Sequence, residues 1–231
     1  MIHLLTAASV DVLTGPDGAR TVRAGGPDLF VTVRLRAEGC PFRHVVAPSR
    51  VAVGIDVFPG GETGRVLSCE PLAVPPPSSP DFLLVSTVGP DAPVGLCAGL
   101  DVGTLYLDFQ GVVRGRAKPL GIREFRERFL FRRFVGKATL GESRLLGRAL
   151  VRFLREKHAL IVTDGPCPVR VLAGGSERRY APRRLGFILR DTIGAGDTFF
   201  AAFAARHRAG ASVPSAVRHA LASVRDFLYN K

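Results

Sequence analysis

Short apolar runs separated by helix-like stretches constrain the fold of this 231-residue chain more than any other feature. The runs Phe82–Val88, Thr104–Phe109 and His158–Gly165 are bounded by Gly, Pro or Asp, which is typical of strands buried on both faces. Between the last two, Glu142–His158 has an apolar stripe opposite a row of arginines, which predicts one amphipathic helix. Strands and helices that alternate with short connections predict a mainly parallel sheet with helices on its faces.

The N-terminal half has a different character, because Gly, Pro and Val dominate from Val45 to Pro80. Val51–Ser68 is predicted to form a β-hairpin that turns at Pro59-Gly60-Gly61. The chain is 46% hydrophobic, which is enough apolar material for one sizeable core. We therefore predict one α/β body with a small β insertion.

The composition argues against several classes of protein. A net charge of +12 would suit a nucleic-acid binder or an enzyme of anionic substrates, but the arginines are spread along the chain. With no Trp and three Tyr, aromatic side chains that stack on bases are scarce, which argues against a nucleic-acid partner. The four cysteines form no C-x-x-C pair and indicate neither a zinc site nor a redox motif. Neither a membrane-length apolar run nor a basic leader is found, so we predict a soluble cytoplasmic protein without a membrane partner.

The segment Asp191–Phe203, DTIGAGDTFFAAF, places two glycines and an aspartate before an apolar helix-forming run. Because that run has almost no polar face, the helix is predicted to be buried. The unpaired amides and the dipole at its start favour an anion, and glycine lets a ligand approach the backbone closely. Asp197 has two interpretations on this pattern: it caps the helix, or it is kept ionised by those amides and accepts a proton from an incoming hydroxyl.

The same string resembles the D-T-x-G-A-G-D signature of the ribokinase, or PfkB, family of carbohydrate and nucleoside kinases. The matching residues are Asp191, Thr192, Gly194, Ala195, Gly196 and Asp197. The resemblance implies a ribokinase-like three-layer α/β/α fold with a mainly parallel central sheet and a small β lid. It implies a single domain over residues 1–231, with the reduced lid formed by parts of about 12–24 and 45–70. It also implies an ATP-dependent kinase in which Asp197 is the general base and residues 194–197 bind the transferring phosphoryl group.

Two N-terminal features resemble the family's substrate side. Asp11 follows the predicted first strand, as does the family's substrate-binding aspartate, and one carboxylate can accept hydrogen bonds from two vicinal hydroxyls. Gly25 and Gly26 resemble the diglycine that lets a substrate lie against the backbone before a helix. Phe30 stands where family members commonly carry Asn, which is a departure that bears on ribose recognition.

A third motif, Leu105–Gly115, resembles the L-D-x-Q-G-x-x-R segment of archaeal-type and inositol-kinase-like members. The resemblance implies that Gln110 and Arg114 face the substrate, and a strand followed by a surface turn is the alternative. The run FVGKATLGESR resembles K-x-N-x-x-E, with Thr139 in place of Asn. Glu142 is then the residue that helps to hold Mg²⁺, a cation that prefers carboxylate and water oxygens. Without the resemblance, Glu142 would be a helix-capping acid.

The donor side is implied by IVTDGPCPVRVL, which resembles the T-x-G-x-x-G segment that lines the ATP phosphates. Thr163 and Gly165 match, whereas Pro168 replaces the last glycine and has no amide to donate. Thr192, with Gly194 and Gly196, is also implied to contact ATP. Asp191-Thr192 lies where many relatives bind a monovalent cation.

The resemblance implies a phosphotransferase whose acceptor is a hydroxyl of a small sugar or polyol. One alternative is a nucleoside kinase of the same family, with Phe30 or Phe58 as an aromatic partner for the base. The other is a degenerate relative that binds a nucleotide or polyanion without turnover. The chain is shorter than typical members, mainly between Gly39 and Pro80, so the reduced lid leaves the site open or a second subunit covers it in a homodimer.

Overall fold

The computed structural model describes residues 1–58, 61–71, 73, 78–89, 100–183 and 191–231. In these residues the strands are β1 (Ile2–Thr14), β2 (Arg20–Gly25), β3 (Phe42–His44), β4 (Ser49–Phe58), β5 (Gly61–Cys69), β6 (Phe82–Ser86), β7 (Val102–Asp108), β8 (Phe131–Thr139), β9 (Ala159–Thr163), β10 (Val169–Ala173) and β11 (Ser176–Tyr180). The helices are α1 (Gly26–Ala37), α2 (Gln110–Val113), α3 (Ile122–Arg128), α4 (Leu140–Ser143), α5 (Arg148–Lys157), α6 (Ala195–Arg208) and α7 (Val213–Tyr229).

One large sheet has the strand order β11-β10-β9-β8-β7-β6-β1-β4-β5, with β2 and β3 also paired to β1. The central strands β1, β6, β7, β8 and β9 run parallel to one another, as do β3 and β4 to β1. Antiparallel pairs occur at the two ends of the sheet, in β9-β10-β11 and in β1-β2 and β4-β5. The predicted α/β fold with a mainly parallel sheet is confirmed.

Successive side chains of the central strands pack on opposite faces, which produces the three layers. In β7, Leu105 and Leu107 join a core that includes Phe125 of α3 and Leu150 of α5. Tyr106 between them joins the opposite core, which contains α1, α6 and α7. Both faces of the strand are therefore buried, as its continuous apolar run predicted.

The three predicted strands are present as β6, β7 and β9, but the single helix predicted over Glu142–His158 is wrong. Here α4 ends at Ser143, and α5 begins only at Arg148. The intervening backbone pairs with Leu120 instead: the Leu120 N–H donates to Leu145 O at 2.7 Å, and the Gly147 N–H donates to Leu120 O at 2.8 Å. These bonds hold the chain in an extended turn, and the helix starts afresh after Gly147.

In the N-terminal half, β4 and β5 pair in antiparallel register from Val51–Cys69 to Phe58–Gly61, so the predicted hairpin is confirmed, while residues 59 and 60 of its turn lie outside the described residues. The assignment of 12–24 and 45–70 to a lid stays a prediction. Of the cysteines, Cys40 is buried, Cys69 half-buried and Cys167 exposed, all as free thiols, and Cys97 lies outside the described part. None of the described helices combines the length and apolar character that crossing a membrane requires.

Candidate active site

Polar residues converge at one edge of the sheet, where the parallel strands β6 to β9 end. Ser86 ends β6, Asp108 ends β7, Thr139 ends β8 and Thr163 ends β9. Parallel strands bring their carboxyl ends to the same edge, and ligands of open α/β sheets bind there. The start of α6 meets this edge, because Ser86 Oγ lies 3.2 Å from Asp197 Oδ1.

The first turn of α6 has the geometry of an anion site. Gly194 precedes the helix with φ +86°, a left-handed conformation that glycine adopts without strain. The Thr198 N–H donates to Gly194 O at 2.9 Å, and the Ala195 N–H donates to Thr192 O at 3.0 Å. Helix geometry leaves the amides of Gly196 and Asp197 without an intrahelical acceptor. The amide of Ala195 is thus engaged, and the other two are the donors this turn can offer to a ligand.

Burial changes abruptly along this helix. Residues 194–197 are only partly buried, whereas every residue from Thr198 to Ala205 is buried. The prediction of a buried helix is therefore confirmed over residues 198–205, and the first and last turns of α6 reach the solvent. Asp197 lies at that boundary.

Asp197 is part of a compact group of charged side chains. Behind it, the Lys137 ammonium donates to Asp108 Oδ2 at 2.9 Å, and both side chains are almost completely buried. The Ser86 hydroxyl also lies 3.4 Å from Asp108 Oδ2, so it bridges the two aspartates. The Lys137 Nζ lies close to the Cα of Gly196, since a Cβ added there would be 3.1 Å from it. A buried positive charge therefore stands directly beside the anion-binding turn.

The pKa of Asp197 is raised from 3.8 to about 7. Burial is the main cause, and the Asp108 and Glu142 carboxylates add to it, while Lys137 and the Ser86 hydrogen bond act in the opposite direction. This corrects the expectation that the helix amides keep Asp197 fully ionised, because burial and two like charges outweigh them. Burial also lowers the pKa of Lys137, but the three carboxylates more than offset this and the net shift is upward, so its ammonium stays charged.

Asp11 of β1 lies beside Gly25 and Gly26, where β2 ends and α1 begins. Asp11 is 2% exposed, and its carboxylate accepts a hydrogen bond from the Ser9 hydroxyl. A Cβ on Gly25 would collide with that carboxylate, and one on Gly26 would lie 2.7 Å from Ser9 N. The predicted substrate residues Asp11, Gly25 and Gly26 are thus brought together where α1 begins.

Gln110, Arg114 and Glu142 flank the central group. Gln110 begins α2, where its backbone N–H donates to Asp108 Oδ1 at 3.1 Å. The Arg114 guanidinium donates to Val88 O at 3.3 Å and lies in the fields of the Glu142, Asp108 and Asp197 carboxylates.

Glu142 forms a capping box with Thr139. Glu142 Oε2 accepts from the Thr139 N–H at 2.7 Å, and Thr139 Oγ1 accepts from the Glu142 N–H at 3.2 Å. Glu142 therefore caps the start of α4, as one of its two predicted roles requires. Burial and Asp108 raise the pKa of its carboxyl. No group of three or more potential metal-binding side chains of His, Cys, Asp or Glu is found in the part of the chain that the structure describes.

The predicted donor segment is the turn from β9 to β10. The Thr163 hydroxyl donates to Ala138 O at 3.5 Å, and Gly165 has φ +50° in an exposed turn that includes Pro168. A pocket of about 240 Å³ lies beside this turn, and its walls include Leu140, Val162, Asp164, Pro168, Arg170 and Arg179.

The first two residues of the signature lie apart from the charged group. Asp191 binds two cations: Arg23 Nη1 lies 2.7 Å from Oδ2, and Lys231 Nζ lies 2.9 Å from Oδ1. Thr192 is exposed. Arg23 is the cross-strand partner of Asp11, so the ion pair Arg23–Asp191 links the strand pair that carries Asp11 to the segment that precedes α6.

Sequence reasoning missed Ser86, and it noted Asp108 and Lys137 only as parts of motifs without a role of their own. Ser86 and Asp108 stand at the ends of apolar runs, where a polar residue normally marks the end of a strand. What could have identified both in the sequence is their position at the end of an apolar run, because ligands bind at that edge of a parallel sheet.

Comparison with known proteins gives one family and a set of similar folds. The model of the pfkB family carbohydrate kinases matches residues 133–224. No curated protein sequence matches the chain. The structure resembles Arabidopsis thaliana ribokinase complexed with ribose and ATP (TM-score 0.69, 14% identity, 96% of this chain and 90% of that one).

It also resembles the nucleoside kinase of Methanocaldococcus jannaschii (TM-score 0.63, 14% identity, 96% and 89% of the two chains). A third similar structure is a pyrophosphate-dependent kinase in the ribokinase family, solved with sulfate (TM-score 0.63, 19% identity, 97% and 94%). At these identities the likeness establishes the ribokinase-like fold, as predicted.

Proposed function

Since the chain resembles the ribokinase/PfkB carbohydrate and nucleoside kinases in its fold and matches their family model over residues 133–224, we propose that it is an ATP-dependent kinase. It transfers the γ-phosphoryl group to a hydroxyl of a small sugar or polyol. One observation carries the proposal: the carboxylate of the partly buried Asp197 stands at the start of a buried helix, beside two amides and a buried ammonium.

In this proposal Asp197 is the general base. It removes the proton of the acceptor hydroxyl as the oxygen attacks the γ-phosphorus, and the bond to the ADP leaving group breaks. A pKa of about 7 suits this role, because a base works best when its pKa lies near the operating pH. The rate is then expected to rise with pH through about 7 as Asp197 loses its proton.

The transferring phosphoryl group binds at the first turn of α6. The amides of Gly196 and Asp197 donate to its oxygens, and Lys137 adds a fixed positive charge behind Gly196. Phosphoryl transfer depends mainly on positioning and on charge stabilisation, so donors of this kind are what the reaction needs. Gly194 supplies the left-handed residue from which this turn starts.

The acceptor lies against Asp11 and the Gly25-Gly26 backbone. A carboxylate held by Ser9 keeps acceptor capacity for hydroxyls, and the lack of side chains at both glycines lets Asp11 and Ser9 pack directly against the backbone there. Gln110 and Arg114 are the polar side chains that we assign to the acceptor's other hydroxyls. The Arg23–Asp191 pair ties this side of the site to the phosphoryl side.

Thr163 and Gly165, next to the pocket beside the β9–β10 turn, are assigned to the nucleotide, and so is Thr192 before α6. The described carboxylates do not form a ready-made metal site, but those of Asp108, Asp197 and Glu142 outnumber the neighbouring cationic side chains of Arg114 and Lys137, which favours a cation that arrives with ATP. Mg²⁺, when bound with Glu142, would neutralise charge on the ATP oxygens. One Glu142 oxygen is committed to Thr139, so the other is the one available for this contact.

The decisive experiment measures phosphoryl transfer with wild type and D197N across a panel of sugars, polyols and nucleosides, with ATP and pyrophosphate as donors. We expect a donor-dependent product with wild type and a fall of orders of magnitude in kcat for D197N. The matched control is D101N, because Asp101 is an exposed aspartate that pairs with Arg132 where β7 begins, far along the strand from Asp108. Turnover of D197N at the wild-type level would refute the assignment of the base.

Two other functions give different results in the same assay. A nucleoside kinase would phosphorylate nucleosides in preference to sugars, and Phe58, exposed at the end of β4, is the aromatic residue available to a base. A non-catalytic relative would give no product with any acceptor, yet ATP, ADP or RNA would raise its melting temperature. A nucleotide-induced shift without turnover would therefore replace the kinase proposal with the binding one.

A further inference from the structure

The Lys231 ammonium lies where the family resemblance implies a monovalent cation. Its Nζ is 2.9 Å from Asp191 Oδ1 and donates to the backbone oxygen of Ile193 at 2.7 Å. A carboxylate oxygen and a backbone carbonyl are ligands that a hard monovalent cation would use. Here both already bind an ammonium that is covalently part of the chain.

The other oxygen of Asp191 is occupied as well, by Arg23 at 2.7 Å. Although burial raises the pKa of Asp191, the hydrogen bonds from Arg23, Lys231 and the Ile193 N–H outweigh it and lower the pKa to about 2. The carboxylate is therefore ionised and shared by two fixed cations. A free cation bound to the same oxygens would lie within a few ångströms of an ammonium, and the repulsion between like charges opposes its binding. The residues present do not fit a diffusible monovalent cation.

Aromatic rings hold the ammonium in place. Nζ lies 5.2 Å from the ring centre of Phe227 and 5.9 Å from that of Phe30, distances at which a ring face attracts a cation. Phe30 and Phe227 contact each other edge to face at 6.0 Å. The ring of Phe30 also packs against Gly194, where any Cβ would collide with it. The Phe30 ring therefore contacts both the Lys231 ammonium and Gly194.

The bond to Ile193 O bears directly on the anion-binding turn. The carbonyl of Ile193 and the N–H of Gly194 belong to the same peptide plane, in which the two groups point in opposite directions. By holding the carbonyl, Lys231 fixes the direction of the Gly194 N–H and with it the left-handed φ of +86° from which α6 begins. Lys231 thus supplies the hydrogen bond that this carbonyl accepts.

We propose that the Lys231 ammonium is a built-in substitute for a monovalent cation, which positions the loop before α6, and that phosphoryl transfer by this chain therefore does not need K⁺. The inference rests on the proposed kinase function. Lys231 is a positioning residue, because it acts through the peptide between Ile193 and Gly194.

The test compares wild type, K231M and K157M in KCl and in tetramethylammonium chloride at equal ionic strength. Lys157 is an exposed lysine at the end of α5, so K157M controls for the loss of one lysine. We expect wild type and K157M to have the same rate in both salts. K231M should lose about 10- to 100-fold in kcat in tetramethylammonium chloride, because displacing a catalytic loop by about 1 Å can cost up to about 100-fold in rate. KCl should restore part of the lost rate.

A second measurement separates this inference from the kinase proposal. Hydrogen exchange of the amides at 192–197 should be faster in K231M than in wild type, and KCl should slow it in K231M only. If no acceptor is phosphorylated by wild type, the kinase proposal fails while the exchange result still decides the role of Lys231. Should K231M fail to fold, K231Q retains a donor for Ile193 O without the charge and takes its place. Activation of wild type by KCl, or K231M with wild-type rate and exchange, would overturn the inference.

Discussion

Asp197 is expected to lower the stability of the folded protein at neutral pH, so D197N should be more stable than wild type. The folded state raises the pKa of this carboxyl from 3.8 to about 7, a difference of about 3 units. At about 1.36 kcal/mol per unit, ionising Asp197 costs up to about 4 kcal/mol more in the folded than in the unfolded state. Since the residue as a whole is only partly buried, solvent screening reduces this cost, and we expect about 2–4 kcal/mol.

The pH dependence of the free energy of unfolding follows from which state, folded or unfolded, holds the proton on Asp197. Between about pH 4 and pH 7 the folded state keeps a proton on Asp197 that the unfolded chain has lost, so the free energy of unfolding falls as the pH rises. Asparagine has the same shape, still accepts the hydrogen bond of Ser86, and carries no charge. The advantage of D197N should therefore grow from about pH 4 to pH 7 and stay constant above it.

The measurement is urea denaturation of wild type, D197N and the exposed control D101N at about pH 5 and about pH 8. We expect the advantage of D197N to increase by about 2 kcal/mol between the two conditions, while D101N stays within about 0.5 kcal/mol of wild type at both. If D197N is no more stable than wild type at pH 8, or if its advantage is the same at both pH values, then ionising Asp197 does not destabilise the folded protein.

Three other substitutions test the same site. K137M leaves the Asp108 carboxylate buried without its ion-pair partner, so urea denaturation should show a loss of about 3–5 kcal/mol, and unchanged stability would contradict a tight buried pair. G194A forces a side chain into a left-handed conformation and an aromatic ring, and should lose more stability than G210A, whose glycine has a similar φ of +92° but open space around it. D11N should raise KM for the acceptor about 10-fold or more and leave KM for ATP unchanged; equal effects on both would argue against a contact with the acceptor.

The central sheet could be predicted from the sequence because its strands are buried on both faces. Strands β6, β7 and β9 are short, nearly continuous apolar runs, which periodicity identifies. In contrast, β8 was missed because it begins with exposed arginines after Phe131, and β11 was missed because its sequence SERRY is almost entirely polar at the edge of the sheet. Edge positions and strand ends carry little periodic signal, so their sequences resemble those of loops.

The site itself was only partly predictable. The glycines and Asp197 are contiguous in the sequence and could be recognised together, whereas the groups that set the pKa of Asp197 come from three different strand ends and the turn after one of them. Asp108 and Lys137 meet Asp197 only through the sheet topology, and no local pattern reveals that contact. The same holds for Lys231, whose ammonium reaches Ile193 from beyond the end of α7.

The apolar surface of α6 explains how a single turn can stay fixed as an anion site. The helix is buried from Thr198 to Ala205, and Phe200 and Phe203 each pack edge to face with Tyr106 at centroid distances of 6.4 Å. A rotation or slide of the helix would expose a large aromatic side chain, at a cost of about 1.5–3 kcal/mol for each one uncovered. The amides of Gly196 and Asp197 are therefore held in one direction by the core behind them, while Gly194 supplies the left-handed start of the turn.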